Sequence, residues 1–433
     1  MIKKPKISVI TLGCEKNTVD SEIVMAQLKH NQFELASEGT EADIAVINTC
    51  GFIEAAKKQS IETILNAVQL KKEGRLKKVV VMGCLSERYK ADLEKEIPEV
   101  DAYVGANKMD QVVRVLGAEY KYELLGERLL STPSHFAYVK ISEGCDNPCS
   151  FCAIPLMRGK HVSKPIEQIL SECRGLALRG VKELILIGQD TSSYGDDLYG
   201  KRQLASLLSQ LGKVEGIEWI RLMYVYPAKF PSDILEEYAK NPKLCRYMDI
   251  PIQHIADPVL KSMRRGISSR ATRRLLDNIR TAIPGIALRT TLIVGYPNET
   301  EREFGELLDF VEEGYFDRLG VFTYSQEDDT TAYPLADPLH QEVKEERMRL
   351  IMEAQKEVSW KKNQQYVGQR LNVLIDRTEP ATAYGRTERD APEIDNEVVI
   401  EHSGELREGI FTTVRIVEGE EYDLYATSDS IAP

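Results

Sequence analysis

Short apolar, β-branched runs at residues 7–12, 44–48 and 79–82 open this chain, and between them residues 21–29 and 61–72 carry apolar positions three to four apart. Runs this short, bounded by turns, read as buried parallel strands, and the longer period reads as helix. Strand, helix, strand at this spacing predicts right-handed βαβ units across residues 1–120. After a turn-rich linker at 131–135 the alternation resumes, with strands expected at 136–141, 183–187, 219–225, 247–252, 286–294 and 319–324. Helical stretches such as 165–178, 268–282 and 301–314 separate them. Six such repeats predict a partial (β/α)6 TIM-like barrel with its site at the carboxyl face, although a doubly wound open sheet would give the same string. A charged helical stretch at 340–365 leads out of it. Short strands at 371–376, 397–400, 411–417 and 422–426, broken by Gly, Pro and Asp, then predict a small all-β barrel of the sort that binds a polymer or a partner. The expected fold class is α/β in three domains, over residues 1–120, 131–363 and 364–433.

Length and composition agree with this division: 433 residues exceed one ordinary core, and 42% hydrophobic content supports globular packing. The first 13 residues raise a signal peptide, but Ser8 and Thr11 break the apolar run and no small-residue cleavage site follows, so an opening strand is expected. No stretch approaches the roughly 20 apolar residues of a membrane span. The net charge of −12 is uneven, because residues 364–433 hold six Arg and no Lys against fifteen Asp and Glu, or −9, leaving −3 for the rest. Neutralising nucleic-acid phosphates needs Lys and Arg. The tail instead suits a basic protein partner, or serves solubility alone.

The chemistry lies in the cysteines. Cys145, Cys149 and Cys152 stand at three-then-two spacing directly after an expected strand. Three close thiolates without a fourth ligand describe an iron-sulfur cluster with one iron open to a small molecule; a structural zinc site wants four ligands, and His161 is the only plausible fourth donor just downstream. Cys14, Cys50 and Cys84 each follow one of the first three strands. Since ligands in parallel α/β sheets sit outside the strands' carboxyl ends, these three are expected to converge on one edge as a second three-thiolate set. Six of eight cysteines then suit metal rather than disulfides, which points to a reducing cytoplasm. Cys173 and Cys245 have no partner spacing and read as structural. Polar residues gather where the barrel's carboxyl face should be: Gln189 and Asp190 after the second strand, Gln253 and His254 after the fourth, Gly295 after the fifth. Such groups could hold a small ligand, or be polar only because strand ends are wet.

The C-x3-C-x2-C loop with Phe151 before its last cysteine resembles the signature of the radical S-adenosylmethionine (SAM) superfamily, and the whole chain resembles the methylthiotransferases in domain order. Stretches such as Thr11-Leu12-Gly13-Cys14-Glu15-Lys16-Asn17, Gln189-Asp190-Thr191 and Thr323-Tyr324-Ser325-Gln326-Glu327 resemble the RimO type. The resemblance implies an N-terminal methylthiotransferase domain, a radical SAM core and a C-terminal TRAM barrel. It implies a 4Fe-4S cluster on Cys145, Cys149 and Cys152, where SAM is cleaved, and an auxiliary 4Fe-4S cluster on Cys14, Cys50 and Cys84. SAM contacts would fall to Phe151, Gln189, Asp190, Gln253, His254 and Gly295. The implied reaction adds a methylthio group to the β-carbon of an aspartate in small-subunit ribosomal protein S-twelve, a basic protein met by the acidic TRAM domain, with an electron donor as a further partner. Neither a membrane nor transfer RNA is expected as partner. Two alternatives stay open: the MiaB type, which modifies an adenosine in transfer RNA, and a non-catalytic metal-binding protein associated with ribosomes.

Overall fold

The computed structural model describes residues 5–36, 41–124, 126–401 and 406–428, and in it the first three apolar runs form the centre of a five-stranded parallel sheet. Lys6–Thr11, Ile44–Thr49 and Lys78–Gly83 lie side by side, edged by Glu34–Leu35 and Ala102–Gly105. Ile44–Thr49 is buried throughout, so it reads as unbroken apolar sequence rather than alternation. The register pairs Thr11 with Asn48 and Thr49 with Gly83. Parallel strands in that register leave the sheet at one edge, where Cys14, Cys50 and Cys84 follow. The helices begin earlier than their apolar period indicates, at Glu15–His30 and Glu54–Lys72. The first turns of Glu15–His30 bury Lys16, Asn17, Asp20, Ser21 and Glu22 around the single apolar Val19, so the packed face there is mostly polar and shows no apolar period.

The second sheet has six strands, Phe136–Lys140, Glu183–Ile187, Trp219–Leu222, Leu244–Asp249, Ala287–Val294 and Arg318–Thr323, all parallel and paired in sequence order. A doubly wound sheet reverses its order at a switch point; uninterrupted order is that of a β/α-barrel segment. Leu244–Asp249 starts and ends three residues before the expected 247–252, because Pro251 has no N–H for the ladder and the chain then turns at Gln253 with φ of 71°. Helices Ile166–Leu178, Leu204–Leu211, Ser269–Ala282 and Glu301–Glu312 close a core that includes Leu176, Leu186, Leu207, Leu276 and Phe310. Cys173 belongs to this core and Cys245 to the apolar cluster on the barrel's other side, both as small buried groups.

Helix Gln341–Gln364 leads into a closed five-stranded barrel of Arg370–Thr378, Thr382–Arg386, Val398–Glu401, Phe411–Gly419 and Leu424–Ser428. Thr382–Arg386 escaped the sequence reading because its buried positions are small: Ala383 is fully buried, and a Cβ on Gly385 would lie 2.4 Å from the Leu374 carbonyl oxygen. Asp317 ties this barrel to the core, pairing with Lys362 at 3.2 Å, Arg389 at 3.1 Å and Arg280 at 2.9 Å. Burial alone would raise its carboxyl, but the three cations and the Leu288 N–H outweigh that and hold it near about 2. The folded-state value lies below the unfolded one, so this stability is present above the ordinary carboxyl range and is lost as pH falls toward about 2. Asp317→Asn is expected to lower unfolding free energy at neutral pH by on the order of 2 kcal/mol and to flatten stability between pH 4 and 2, measured by urea titration across pH. Among the described residues no helix is long and apolar enough to cross a membrane.

Candidate functional site

Three tight turns hold the N-terminal cysteines together. Cys14 is the cap of helix Glu15–His30 and Cys84 the first residue of Cys84–Glu96. Gly13, at φ of +93°, lets Cys50 come so close that a Cβ there would lie 2.7 Å from the Cys50 Cβ and 3.1 Å from its sulfur. Asn17 pins the turns, donating to the Leu12 carbonyl at 2.6 Å and the Thr49 carbonyl at 3.2 Å. The Cys50 N–H donates to Ser60 Oγ at 3.1 Å. Burial, followed by the charge of a neighbouring Cys14, pushes the Cys50 thiol up. The Cys84 thiol is pushed up to about 12 by burial, against the pull of Arg158, with Cys14 and Cys50 close enough to add to the rise.

The second set sits on the loop after strand Phe136–Lys140. The Cys145 N–H donates to the Gly159 carbonyl at 3.1 Å, and the Cys152 N–H to the Cys149 carbonyl at 3.2 Å. Gly144, with φ of +74°, makes the crossing possible, since a Cβ would lie 2.0 Å from the Lys160 carbonyl oxygen. Burial raises the Cys145 thiol to about 11 and the Cys152 thiol to about 12, with neighbouring cysteines adding to both. All six thiols are free. Metal binding would take their protons, so cluster assembly releases them.

The two sets face each other because the sheet edge of the first domain caps the carboxyl face of the barrel. Lys140 and Arg158 of the barrel domain pair with Asp20 of the first domain, and buried Arg128 pairs with Glu22 at 2.8 Å. Burial alone would raise the Asp20 carboxyl, yet Lys140 and Arg158 together hold it below its ordinary value. Lys16 Nζ lies 3.1 Å from the ring centroid of Tyr224, just past the third barrel strand. Beyond the sixth strand, Glu327 takes Lys57 at 3.1 Å and Arg88 at 2.7 Å.

Donors aim at the sulfurs. Asn147 Nδ2 lies 3.4 Å from Cys145 Sγ, an Arg265 nitrogen 3.2 Å from Cys149 Sγ, and Arg158 Nε 3.2 Å from Cys84 Sγ. N–H groups directed at sulfur are what iron-sulfur thiolates take as supporting contacts, so the donor chemistry fits such a group. Among the described residues no three Cys, His, Asp or Glu side chains converge on one ion-sized point; a cubane seats each thiolate on a different iron, which is another demand. His161, the fourth zinc donor considered above, turns Nε2 to Ser163 Oγ at 3.1 Å.

The polar residues expected to contact SAM divide. Asp190 is buried and accepts from Asn147 at 2.7 Å, so it orients the side chain that reaches Cys145. Gln189 donates to Glu143 at 2.7 Å and leaves its Oε1 without a partner, as Gln253 leaves its own. Phe151 is partly buried against the apolar cluster that contains Ala256, Val259, Met263 and Tyr296. His254 is fully buried, accepts the Ala256 N–H on Nδ1 and faces Glu299 at 3.2 Å, while the Gly295 N–H donates to the same carboxylate at 3.0 Å. These two therefore brace the strand ends. Sequence reasoning missed Arg158, Arg265 and Asn147. A lone Arg reads as surface, and the one signal for Arg158 in the sequence is its place six residues after the last cysteine of the loop.

Three families match in succession: Uncharacterized protein family UPF0004 over residues 6–105, the Radical SAM superfamily over 139–311 and the TRAM domain over 367–428. The chain is 56% identical to the "Ribosomal protein uS12 methylthiotransferase RimO" of Flavobacterium johnsoniae, covering 98% of each chain. It is 49% identical to the protein of that name from Aquifex aeolicus, covering 97% of this chain and 96% of the other. Among solved structures, the radical S-adenosylmethionine methyltransferase TsrM of Kitasatospora setae superposes with a TM-score of 0.57 at 12% identity, over 76% of this chain and 77% of that one, a likeness of fold alone. Identity this high along nearly the full length of both partners is a family relation, and the chain belongs to the RimO methylthiotransferases of the radical SAM superfamily.

Proposed function

We propose that this enzyme transfers a methylthio group to the β-carbon of an aspartate in ribosomal protein uS12, using SAM and two 4Fe-4S clusters. The observation that carries the reading is the meeting of two three-cysteine sets across one buried polar interface, with Arg158 reaching from the radical SAM loop to Cys84. Cys145, Cys149 and Cys152 would hold the cluster that binds SAM, and Cys14, Cys50 and Cys84 the auxiliary one. Bound there, these groups would supply reductive cleavage of SAM, hydrogen abstraction from an unactivated carbon and the sulfur to be transferred. The chain's own residues orient and enclose. Phe151, Gln189, Asp190 and Gln253 would line the SAM site, with His254 and Gly295 bracing it. Glu327, Lys57 and Arg88 close the rim between the domains and keep water from the reacting carbon. An electron donor is required as partner, and six free thiols suit a reducing cytoplasm.

Substrate docking falls to the TRAM barrel. Trp360, Val367 and Val417 line a groove edged by Glu418, Glu420 and Glu421, an apolar floor with an acidic rim that fits a basic segment of the ribosomal protein. Glu418→Lys combined with Glu420→Lys is expected to raise the KM for that protein about tenfold and weaken its salt dependence, with SAM cleavage unchanged, as read by steady-state kinetics at two ionic strengths. The acceptor is tested by competition. The reconstituted enzyme receives uS12 and transfer RNA together with reductant and SAM, and both are weighed by mass spectrometry. A methylthio addition on one aspartate supports the reading; addition to an adenosine instead overturns it in favour of the transfer-RNA type.

A further inference from the structure

The guanidinium of Arg158 spends every nitrogen across the domain boundary. One terminal nitrogen donates to Asp20 at 2.7 Å, Asn107 at 3.1 Å and Glu143 at 3.4 Å, the other to Asn17, and Nε lies 3.2 Å from the Cys84 sulfur. Only 6% of the residue is exposed. The next residue, Gly159, accepts the N–H of Cys145 at 3.1 Å. One dipeptide at the end of helix Ile154–Arg158 thus holds a cysteine of each set, by side chain on one side and by backbone on the other.

We propose that Arg158 is a positioning residue that fixes the separation of the two cluster sites and, through its Nε hydrogen bond to Cys84, raises the reduction potential of the auxiliary cluster. The proposal rests on the two-cluster reading above. Arg158 shares Asp20 and Glu143 with Lys140, and it meets the Cys84 sulfur both with its charge and with a directed N–H donation from Nε. A donor to a cluster thiolate favours the reduced, more negative cluster, which raises the potential. Lysine would keep the charge beside Asp20, but its single nitrogen does not span Asp20, Asn17 and the sulfur together.

The test uses full-length, anaerobically reconstituted protein. In a background with Cys145, Cys149 and Cys152 changed to Ala, so that only the auxiliary cluster is present, Arg158→Lys is expected to keep the iron content while the midpoint potential moves negative. In the protein that keeps all six cluster cysteines the same change should lower methylthio product per deoxyadenosine by about 10–100-fold, the range for loss of a supporting contact to a metal ligand. A measurement that leaves Arg158 unsubstituted guards against a variant that fails to fold: with 15N-labelled arginine, pulsed EPR of the reduced auxiliary cluster should show a 15N coupling in the background lacking Cys145, Cys149 and Cys152, and hence the Arg265 contact. An unchanged potential in Arg158→Lys, or no 15N coupling in the labelled protein, overturns the proposal. Failure of the unsubstituted protein to hold an auxiliary cluster overturns instead the reading beneath it.

Discussion

Cys149→Ala in the full chain is expected to reduce SAM cleavage to background, read as deoxyadenosine formed per enzyme under reducing conditions. The loop offers three sulfurs, and the fourth position must stay open if SAM is to chelate the remaining iron, so the site has no spare ligand. Cys149 is also the sulfur that Arg265 addresses at 3.2 Å, and that guanidinium would lose its acceptor, while the Tyr226 hydroxyl, 3.8 Å from the sulfur, keeps its bond to the Arg265 carbonyl. The residue is only partly buried and stands outside the apolar clusters, so the fold should survive. Methylthio transfer must fall with cleavage. Deoxyadenosine formation at the wild-type rate would remove this loop from the chemistry.

Cys50→Ala separates the two sites. Cleavage of SAM should continue, because Cys50 follows a strand of the first sheet and is not on the loop that carries Cys145, Cys149 and Cys152, while methylthio product on the acceptor falls to background. The Cys50 sulfur lies 3.1 Å from where a Cβ on Gly13 would stand, and the Ser60 hydroxyl bonds the Cys50 backbone N–H and carbonyl, which fixes the turn at the sheet edge. Truncation leaves two thiolates there, and the cluster is lost. The two variants are measured side by side by chromatography for deoxyadenosine and mass spectrometry for product. Unaltered product from Cys50→Ala would mean that the N-terminal cysteines do not serve sulfur transfer.

Much of this arrangement was legible in the chain because its signals are local. The C-x3-C-x2-C spacing is a contiguous motif, and strand ends carrying Cys14, Cys50 and Cys84 follow from apolar runs of ordinary length. What escaped depends on contacts between distant segments. Helix Glu15–His30 hides its first turns behind buried Asn17, Asp20 and Glu22, which have partners more than a hundred residues away, Arg128 ahead of the barrel and Arg158 on it. A polar face matched to another polar face has no hydrophobic period, so the interface that joins the two sites left no trace in the pattern. Strand Thr382–Arg386 was missed for a different reason, since Ala383 and Gly385 pack by being small. His254 looked like a ligand group because it follows a strand, but Glu299 and the Ala256 N–H occupy its ring.

Counting metal in three proteins tests the two-cluster account most directly. Anaerobically reconstituted wild-type chain is expected to hold about eight irons and as many sulfides, and each triple alanine variant, at Cys14, Cys50 and Cys84 or at Cys145, Cys149 and Cys152, about four. Mössbauer spectra should assign them to 4Fe-4S clusters. About four irons in the wild type and in the variant lacking Cys14, Cys50 and Cys84 would contradict the account, leaving one cluster and no place for sulfur beside it.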